Sequence, residues 1–426
     1  MVKFVHFADV HFGMENYGKI DKRTGLHSRL TDFCRSFDYL VDWSIKNKVD
    51  FVLFAGDAYK TRDPSPTYQR EFSKRIKKLA ESGITTVLLV GNHDLPNAIG
   101  KANTLEIYST LRTENIYVAR EPSVLKFYKI NGKWQFQKGL DKQQSKVDDC
   151  FQVVALPWLT KNTLLSQEEN EKISVAESYR VMSERINKIV SDLKQKVEKK
   201  FPAVFLGHFS VAGAEYGSER MVYFGQDVVV SQDVLQSGPW QYVALGHLHK
   251  YQSLSKVMPV IYSGSIERVD FGEAKDKKGF IYGEISSNRE QDFGIKYKFI
   301  DLPAKDFVLI ELDINEKESE PNSLILAAIK KDDIKNKIVK IKLTIPEEKI
   351  SLIKQKEIAE VLKDAYYFAG IQKDIIKKSR EKTLENIESL SVLETLEKYW
   401  QNKKLDPKKI ADLKNYAQKI LEEQNI

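Results

Sequence analysis

The stretch TTVLLVGNHD, residues 85–94, carries the pattern that decides the fold: an apolar, β-branched run stops at a glycine, and an amide, an imidazole and a carboxylate follow at once. A short continuous apolar run closed by glycine reads as a strand buried on both faces. A like arrangement, an apolar run followed at once by a carboxylate or an imidazole, recurs in FVHFADVH (4–11) and, with the glycine, in FVLFAGD (51–57), AVFLGH (203–208) and YVALGHLH (242–249). Runs Lys3–Ala8, Phe51–Ala55, Thr85–Val90, Ala203–Leu206 and Tyr242–Leu245 are therefore predicted strands. Between them, Leu30, Phe33, Phe37, Leu40 and Val41 share one helical face, and Val175, Tyr179, Met182, Ile186, Ile189 and Leu193 share another. Strands alternating with amphipathic helices predict an α/β domain, and open α/β sheets place their ligands at strand C-termini.

Working outward, KFYKINGKWQF carries the pair Asn131-Gly132, a strong signal for a two-residue hairpin, and the polar stretch after it reads as an exposed loop. Past about residue 290 come KYKFIDL, FVLIELDI, a helix near Leu324, IVKIKLTI and a helix near Val361, which predict a second, small α/β domain. From about 376 the text turns helical: Leu390, Leu393, Leu396 and Trp400 line one helix, and Ile410, Leu413, Tyr416 and Ile420 a second. The expected organisation is a domain over 1–287, a small α/β domain over 288–375, and a helical segment over 376–426.

Composition sets the outer limits. At 426 residues with 42% hydrophobic and 30% charged, the chain can bury a sizeable core, which excludes disorder as its main state. Apolar stretches such as FVLFA and TVLLV fall far short of the roughly 18–20 residues of a membrane-spanning helix. His6, Asp9 and His11 interrupt any signal-peptide core, so a cytoplasmic protein with no membrane partner is the expectation. Cys34 and Cys150 show no CxxC spacing and read as ordinary thiols. A net charge of +7 (67 minus 60) suits a polyanionic partner but, alone, argues weakly for one.

The chemistry concentrates in five clusters: Asp9-Val10-His11, Gly56-Asp57, Gly91-Asn92-His93-Asp94, Gly207-His208 and Gly246-His247-Leu248-His249. Five of the seven histidines fall in this set, each cluster directly after a predicted strand. Any one GD or GH pair is worthless as a signal; the ordered set of five is not. Imidazole, carboxylate and amide together make a mixed nitrogen and oxygen shell suited to two divalent ions, with manganese or iron hydrolytic chemistry, and no thiolate is offered. A lone carboxylate between two groups of ligands, Asp57, is placed to bridge ions about 3.5–4 Å apart.

These motifs, D-x-H, GD, GNHD, GH and GHxH, resemble those of the calcineurin-like metallophosphoesterases. GDAYKTRDPSPTYQRE and SGSIERVDFGEAKDKKGF look like the SbcD-type exonucleases within that superfamily. The resemblance is close over 1 to about 285 and looser beyond. It implies a mixed β-sandwich flanked by helices, with a small α/β capping domain and a C-terminal helix pair. It further implies that Asp9, His11, Asp57 and His249 hold one metal and that Asp57, Asn92, His208 and His247 hold the other, with manganese the expected ion. His93, left free, would reach the scissile phosphate, with Asp94 orienting its ring. Relatives carry a second non-ligand histidine three residues past the bridging aspartate, where this chain has Lys60.

The implied activity is 3′ to 5′ exonuclease and single-strand endonuclease action on DNA, in double-strand-break processing with an SbcC-type SMC-like ATPase. The terminal helices, which by their residues alone could equally cap their own domain or bind a partner helix, would by this resemblance grip that ATPase, and a homodimer within a heterotetramer is implied, through helices near Tyr68–Ala80 and Leu105–Leu111. Lys22, Arg23, Lys60 and Arg62 are candidate DNA-phosphate contacts, in a basic frame with Lys19, Arg29 and Arg70. His6 reads as sheet packing, His27 as a solvated loop residue, and Arg268 as structural. The alternatives are a phosphatase or cyclic-nucleotide phosphodiesterase of the same superfamily, against which the GDxxDRG motif is missing after Asp57, and a non-catalytic scaffold for an ATPase and DNA.

Overall fold

The five apolar runs form the parallel centres of two sheets in a computed structural model, which describes residues 1–96, 100–136, 149–217, 228–255, 257–286, 294–376, 391–403 and 405–423. In the first sheet β1 (Val2–Phe7), β2 (Phe51–Phe54), β3 (Thr85–Leu89) and β4 (Ile116–Ala119) run parallel, and β14 (Gly279–Ile285) and β15 (Ile295–Asp301) add antiparallel on the side of β1. The second sheet takes the order β12 (Gln252–Ser255), β13 (Val260–Tyr262), β11 (Tyr242–Gly246), β8 (Ala203–His208), β7 (Asp149–Leu156), β5 (Ser123–Ile130) and β6 (Lys133–Phe136). A two-stranded ribbon joins β9 (Ser210–Val211) to β10 (Val229–Val230), and β16 (Phe307–Asp313), β17 (Ile338–Pro346) and β18 (Tyr367–Ile376) form a small separate sheet.

Side-chain alternation divides the core into three layers. Phe4, Phe51, Leu53 and Val87 point from the first sheet to meet Phe127, Phe151, Val153, Val204 and Leu206 of the second. The opposite face of the first sheet, with Val5, Phe7, Val52 and Phe54, is covered by α1 (Ser28–Lys46) and α2 (Pro66–Glu81) through Phe33, Phe37, Phe72 and Ile76. The helix Val175–Lys196 covers the far face of the second sheet through Met182, Ile186, Val190 and Leu193. This is a mixed β-sandwich flanked by helices. The hairpin expected at Asn131-Gly132 forms: Ile130 pairs with Lys133, and both turn residues take positive φ, 51° and 77°.

Some local expectations change. KYKFIDL, read as opening the small domain, pairs with β14 as far as Asp301, the register running from Gly279↔Asp301 to Ile285↔Ile295, and so is the edge strand of the first sheet. Its alternating polar residues belong to an edge with one solvated face. In the helix Val175–Lys196, Val175 stands exposed at the first turn, and Val190 continues the buried stripe in its place.

The chain divides into two compact units, Met1–Leu312 with Asn322–Lys342 and Lys354–Gln372, and Asp313–Pro321 with Leu343–Ile353 and Lys373–Ile426. In the second unit the helices Val392–Asn402 and Pro407–Glu423 meet, with Lys414 bonded to Glu397 at 2.6 Å, while Tyr416 and Ile420 stay exposed. The expected polar loop over 138–148 and Leu390 lie outside the described residues, as do 287–293 and 377–390, next to the expected domain limits. No helix among the described residues is long and apolar enough to cross a membrane.

Candidate metal centre and active site

The loops leaving β1, β2, β3, β8 and β11 meet at one end of the sandwich. Those after β1 and β2 are stitched together: Asp9 N–H donates to the Gly56 carbonyl, and the Asp57 carbonyl accepts from Val10 and His11. Asp9, His11, Asp57 and His247 all take positive φ, 53°, 47°, 64° and 97°, a conformation uncommon outside glycine and concentrated at functional sites. Gly91 is required for close approach, since a Cβ there would lie 2.2 Å from Asp57 Oδ1.

Seven side chains converge in this buried space. Asp57 Oδ2 lies 3.3 Å from His208 Nε2 and 3.7 Å from His11 Nε2. Asn92 Oδ1 is 2.9 Å from His208 Nε2 and 3.3 Å from His247 Nδ1. His249 Nε2 faces His11 Nε2 at 3.0 Å, and Asp9 accepts from the His247 backbone N–H. Asp9, His11 and His249 form one metal-competent trio, Asp9, Asp57 and His208 a second, and His11, Asp57 and His93 a third. His208 Nδ1 donates to the Ala55 carbonyl at 2.6 Å, which turns Nε2 into the cluster.

The electrostatics are those of a cation site. Burial raises the Asp9 carboxyl to about 7. Burial also works against charge at Asp57, but His208, His93 and His11 outweigh it and hold that carboxyl well below the usual range. Burial opposes charge on His208 too, yet Asp57 prevails and lifts it to about 9. Burial and His249 push His11 well down. Two Nε2 atoms 3.0 Å apart cannot both carry protons, so at least one imidazole lone pair, two carboxylates and an amide oxygen share one buried space, which divalent ions fit.

His93 lies at the edge of this cluster, half-buried, its ring edge-on to His11 at 5.0 Å between centroids. Its backbone N–H donates to Asp57 Oδ1, and its Nδ1 donates to the Lys60 carbonyl at 2.7 Å. The expectation that Asp94 orients the His93 ring is corrected: Asp94 is fully buried, and its oxygens accept from the backbone of Asp57 (2.8 Å), Ala58 (3.0 Å) and Gly91 (2.9 Å). Three convergent N–H donors bind a carboxylate more tightly than one neighbouring ring, so Asp94 ties the loops after β2 and β3 together. Lys60 contributes to His93 through its backbone, while its side chain is exposed.

The basic frame loses one member. Arg29 is fully buried, paired with Asp32 at 2.9 Å and donating to the Arg268 carbonyl at 2.6 Å, so it is a core cation, unavailable to a phosphate. Arg70 is exposed but paired with Glu71 at 2.8 Å. Lys22, Arg23 and Arg62 are exposed, and none hydrogen-bonds to the cluster among the described residues. His27 caps α1, its Nδ1 accepting from Arg29 N–H. His6 is core, bonded to Tyr242 and the Leu245 carbonyl, and burial lowers it to about 3. Arg268 bonds the Lys305 and Asp276 carbonyls, as a structural residue does. Sequence reasoning missed Glu273, fully buried, which accepts from His249 Nδ1 at 2.8 Å. Its one sequence signal is an acid in a glycine-flanked loop, which is too common to single out.

A profile of the calcineurin-like phosphoesterase family matches residues 2–251, more than half of the chain, and spans all five loops. The chain belongs to the calcineurin-like phosphoesterase family. Among curated relatives, this phosphoesterase is 28% identical, over 36% of its length, to the DNA double-strand break repair protein Mre11 of Archaeoglobus fulgidus. It is 24% identical over 64% of its length to the SbcD component of the nuclease SbcCD from Bacillus subtilis, and 23% over 73% to that from Staphylococcus saprophyticus. The matches span 38%, 63% and 72% of those relatives' own lengths.

Proposed function

We propose that the chain is a metal-dependent DNA nuclease that binds two divalent ions, with manganese the working ion. Asp9, His11, Asp57 and His249 would hold one ion and Asp57, Asn92, His208 and His247 the other. The supporting observation is the convergence of these side chains in one buried space, with the Asp57 carboxylate between His11 and His208 and His93 at the edge. When bound, divalent ions supply Lewis acidity to a phosphodiester and lower the pKa of a water.

The chain's own residues do the rest. The loops tied by Asp94 hold the ligand set, and burial keeps bulk water from it. His93, with its Nδ1 proton on the Lys60 carbonyl, keeps Nε2 for the phosphate; as the imidazolium, protonated on both nitrogens, it would donate from Nε2 to a non-bridging oxygen or give that proton to the leaving oxygen. Asp94 acts on the loops and not on the ring. Lys60 and Arg62, on the loop after Asp57, and Lys22 and Arg23 would contact DNA phosphates and position the strand without reading its bases.

The names of the relatives, a double-strand break repair protein and a subunit of the nuclease SbcCD, support a role in double-strand-break processing beside a second subunit. The finer proposal is 3′ to 5′ exonuclease and single-strand endonuclease action, with an SbcC-type ATPase gripped by the helices Val392–Asn402 and Pro407–Glu423, in a homodimer within a heterotetramer. The test is cleavage of end-labelled linear and single-stranded DNA by the purified chain with manganese, magnesium or chelator, beside a nitrophenyl phosphodiester. Manganese-dependent DNA cleavage that chelation abolishes is expected. Turnover of the small ester orders of magnitude above that of DNA would refute the nuclease reading in favour of a phosphatase.

A further inference from the structure

Among the groups outside the seven converging side chains, one buried carboxylate is aimed at one of them. Glu273 stands in the loop between β13 and β14, wholly buried, with Oε1 2.8 Å from His249 Nδ1. Its Oε2 accepts from Val269 N–H at 3.1 Å and pairs with Lys278 Nζ at 2.7 Å, and the Lys278 side chain is equally buried. The same lysine donates to the His249 carbonyl at 2.9 Å and to Ser265 Oγ at 2.8 Å. Ser265 N–H also donates to the His249 carbonyl. Gly264, at φ 74°, lies so close that a Cβ would sit 2.7 Å from that oxygen. One loop therefore holds both the ring and the backbone of His249.

We infer that Glu273 is a positioning residue that fixes His249 in the tautomer protonated on Nδ1, so that the Nε2 lone pair faces the cation site. The inference rests on the reading that the cluster binds divalent ions. A carboxylate accepts only, so an imidazole 2.8 Å away must present a proton to it, and a neutral ring then has its lone pair on the other nitrogen. Lys278 supplies the counter-charge that keeps this buried acid ionised. Outer carboxylates of this kind make a ligating imidazole more basic and restrict its rotation, and losing one costs ten- to hundredfold in metal affinity.

The deciding substitution is Glu273→Gln, which keeps shape and removes charge. Two donors, Val269 N–H and Lys278, face the Oε2 position and one faces Oε1, so the amide oxygen turns toward the two and the NH2 toward His249 Nδ1. Nδ1 must then accept, and the proton moves to Nε2, where it blocks the site. The experiment reads two quantities on the full chain. One is the His249 tautomer without divalent ions, by two-bond 1H–15N correlation. The other is Mn2+ affinity by calorimetry. Wild type is expected protonated at Nδ1, and the variant at Nε2 with Mn2+ bound ten- to hundredfold more weakly. A wild-type His249 protonated at Nε2, or a variant that binds within twofold of wild type, overturns the inference. If wild type binds no Mn2+, the metal-site reading itself fails, and the inference with it. Should Glu273→Gln not fold because Lys278 is left without its partner, Glu273→Gln with Lys278→Met removes the orphaned charge; Val269 N–H then holds the amide oxygen, and the His249 tautomer decides, protonation at Nε2 supporting the inference and at Nδ1 overturning it.

Discussion

Replacing Asp94 by alanine separates two roles for a residue that sits beside His93 in the chain. Its carboxylate accepts from the N–H groups of Asp57, Ala58 and Gly91 at 2.8–3.0 Å, and Thr104 Oγ1 adds a contact at 3.4 Å. Each buried N–H left without an acceptor costs roughly 1–3 kcal/mol. Three of them set a range of about 3–9 kcal/mol, which two effects reduce. Burial and the nearby Asp57 raise the Asp94 carboxyl to about 6, so its removal relieves some repulsion, and water can enter the space to serve part of the donors. The expected loss is about 2–4 kcal/mol, a large fraction of the 5–15 kcal/mol typical of a folded domain. Urea unfolding followed by circular dichroism reads it as a lower midpoint at constant slope. Mn2+ affinity should fall as well, because Asp57 and Asn92 lose their common anchor. If Asp94→Ala unfolds within about 0.5 kcal/mol of wild type yet abolishes cleavage, Asp94 acts on the chemistry and the reasoning is wrong.

Three further outcomes follow from the site and its surroundings. His93→Ala should abolish cleavage of linear DNA and leave Mn2+ affinity near wild type by calorimetry; joint loss of metal and activity would make His93 a ligand. Removing residues after 385 should abolish co-purification with an SbcC-type ATPase while sparing manganese-dependent cleavage of single strands, and retained co-purification would assign the grip elsewhere. Burial pushes both Cys34 and Cys150 up to about 12, so at pH 8 their thiolate fraction is roughly a thousandfold below that of a free cysteine. Alkylation of the native chain should be slower by that order and still rising with pH at pH 9, whereas rapid labelling at pH 8 would contradict the burial.

Much of this was legible in the residues themselves, for identifiable reasons. Parallel strands buried on both faces must be apolar throughout, so β1, β2, β3, β8 and β11 stand out as continuous runs, and their C-terminal loops then mark the site. Asn131-Gly132 announces its hairpin because both positions take positive φ. The roles of Asp94 and Arg29 were not legible. Asp94 follows His93 by one residue, and only the meeting of two loops shows that its oxygens serve backbone groups 36 and 37 positions away. Arg29 reads as one cation in a basic loop until Asp32 and the Arg268 carbonyl enclose it. Glu273 escapes notice because its partner is 24 positions distant in sequence. β15 was misplaced because a solvated edge strand carries the same alternating pattern wherever it docks.

The most direct test of the two-ion centre is anomalous diffraction at the manganese edge from crystals of the full chain grown with Mn2+. Two peaks are expected, both against Asp57, one bounded by Asp9, His11 and His249 and the other by Asn92, His208 and His247. A single peak away from Asp57, or none at saturating Mn2+, would contradict the account.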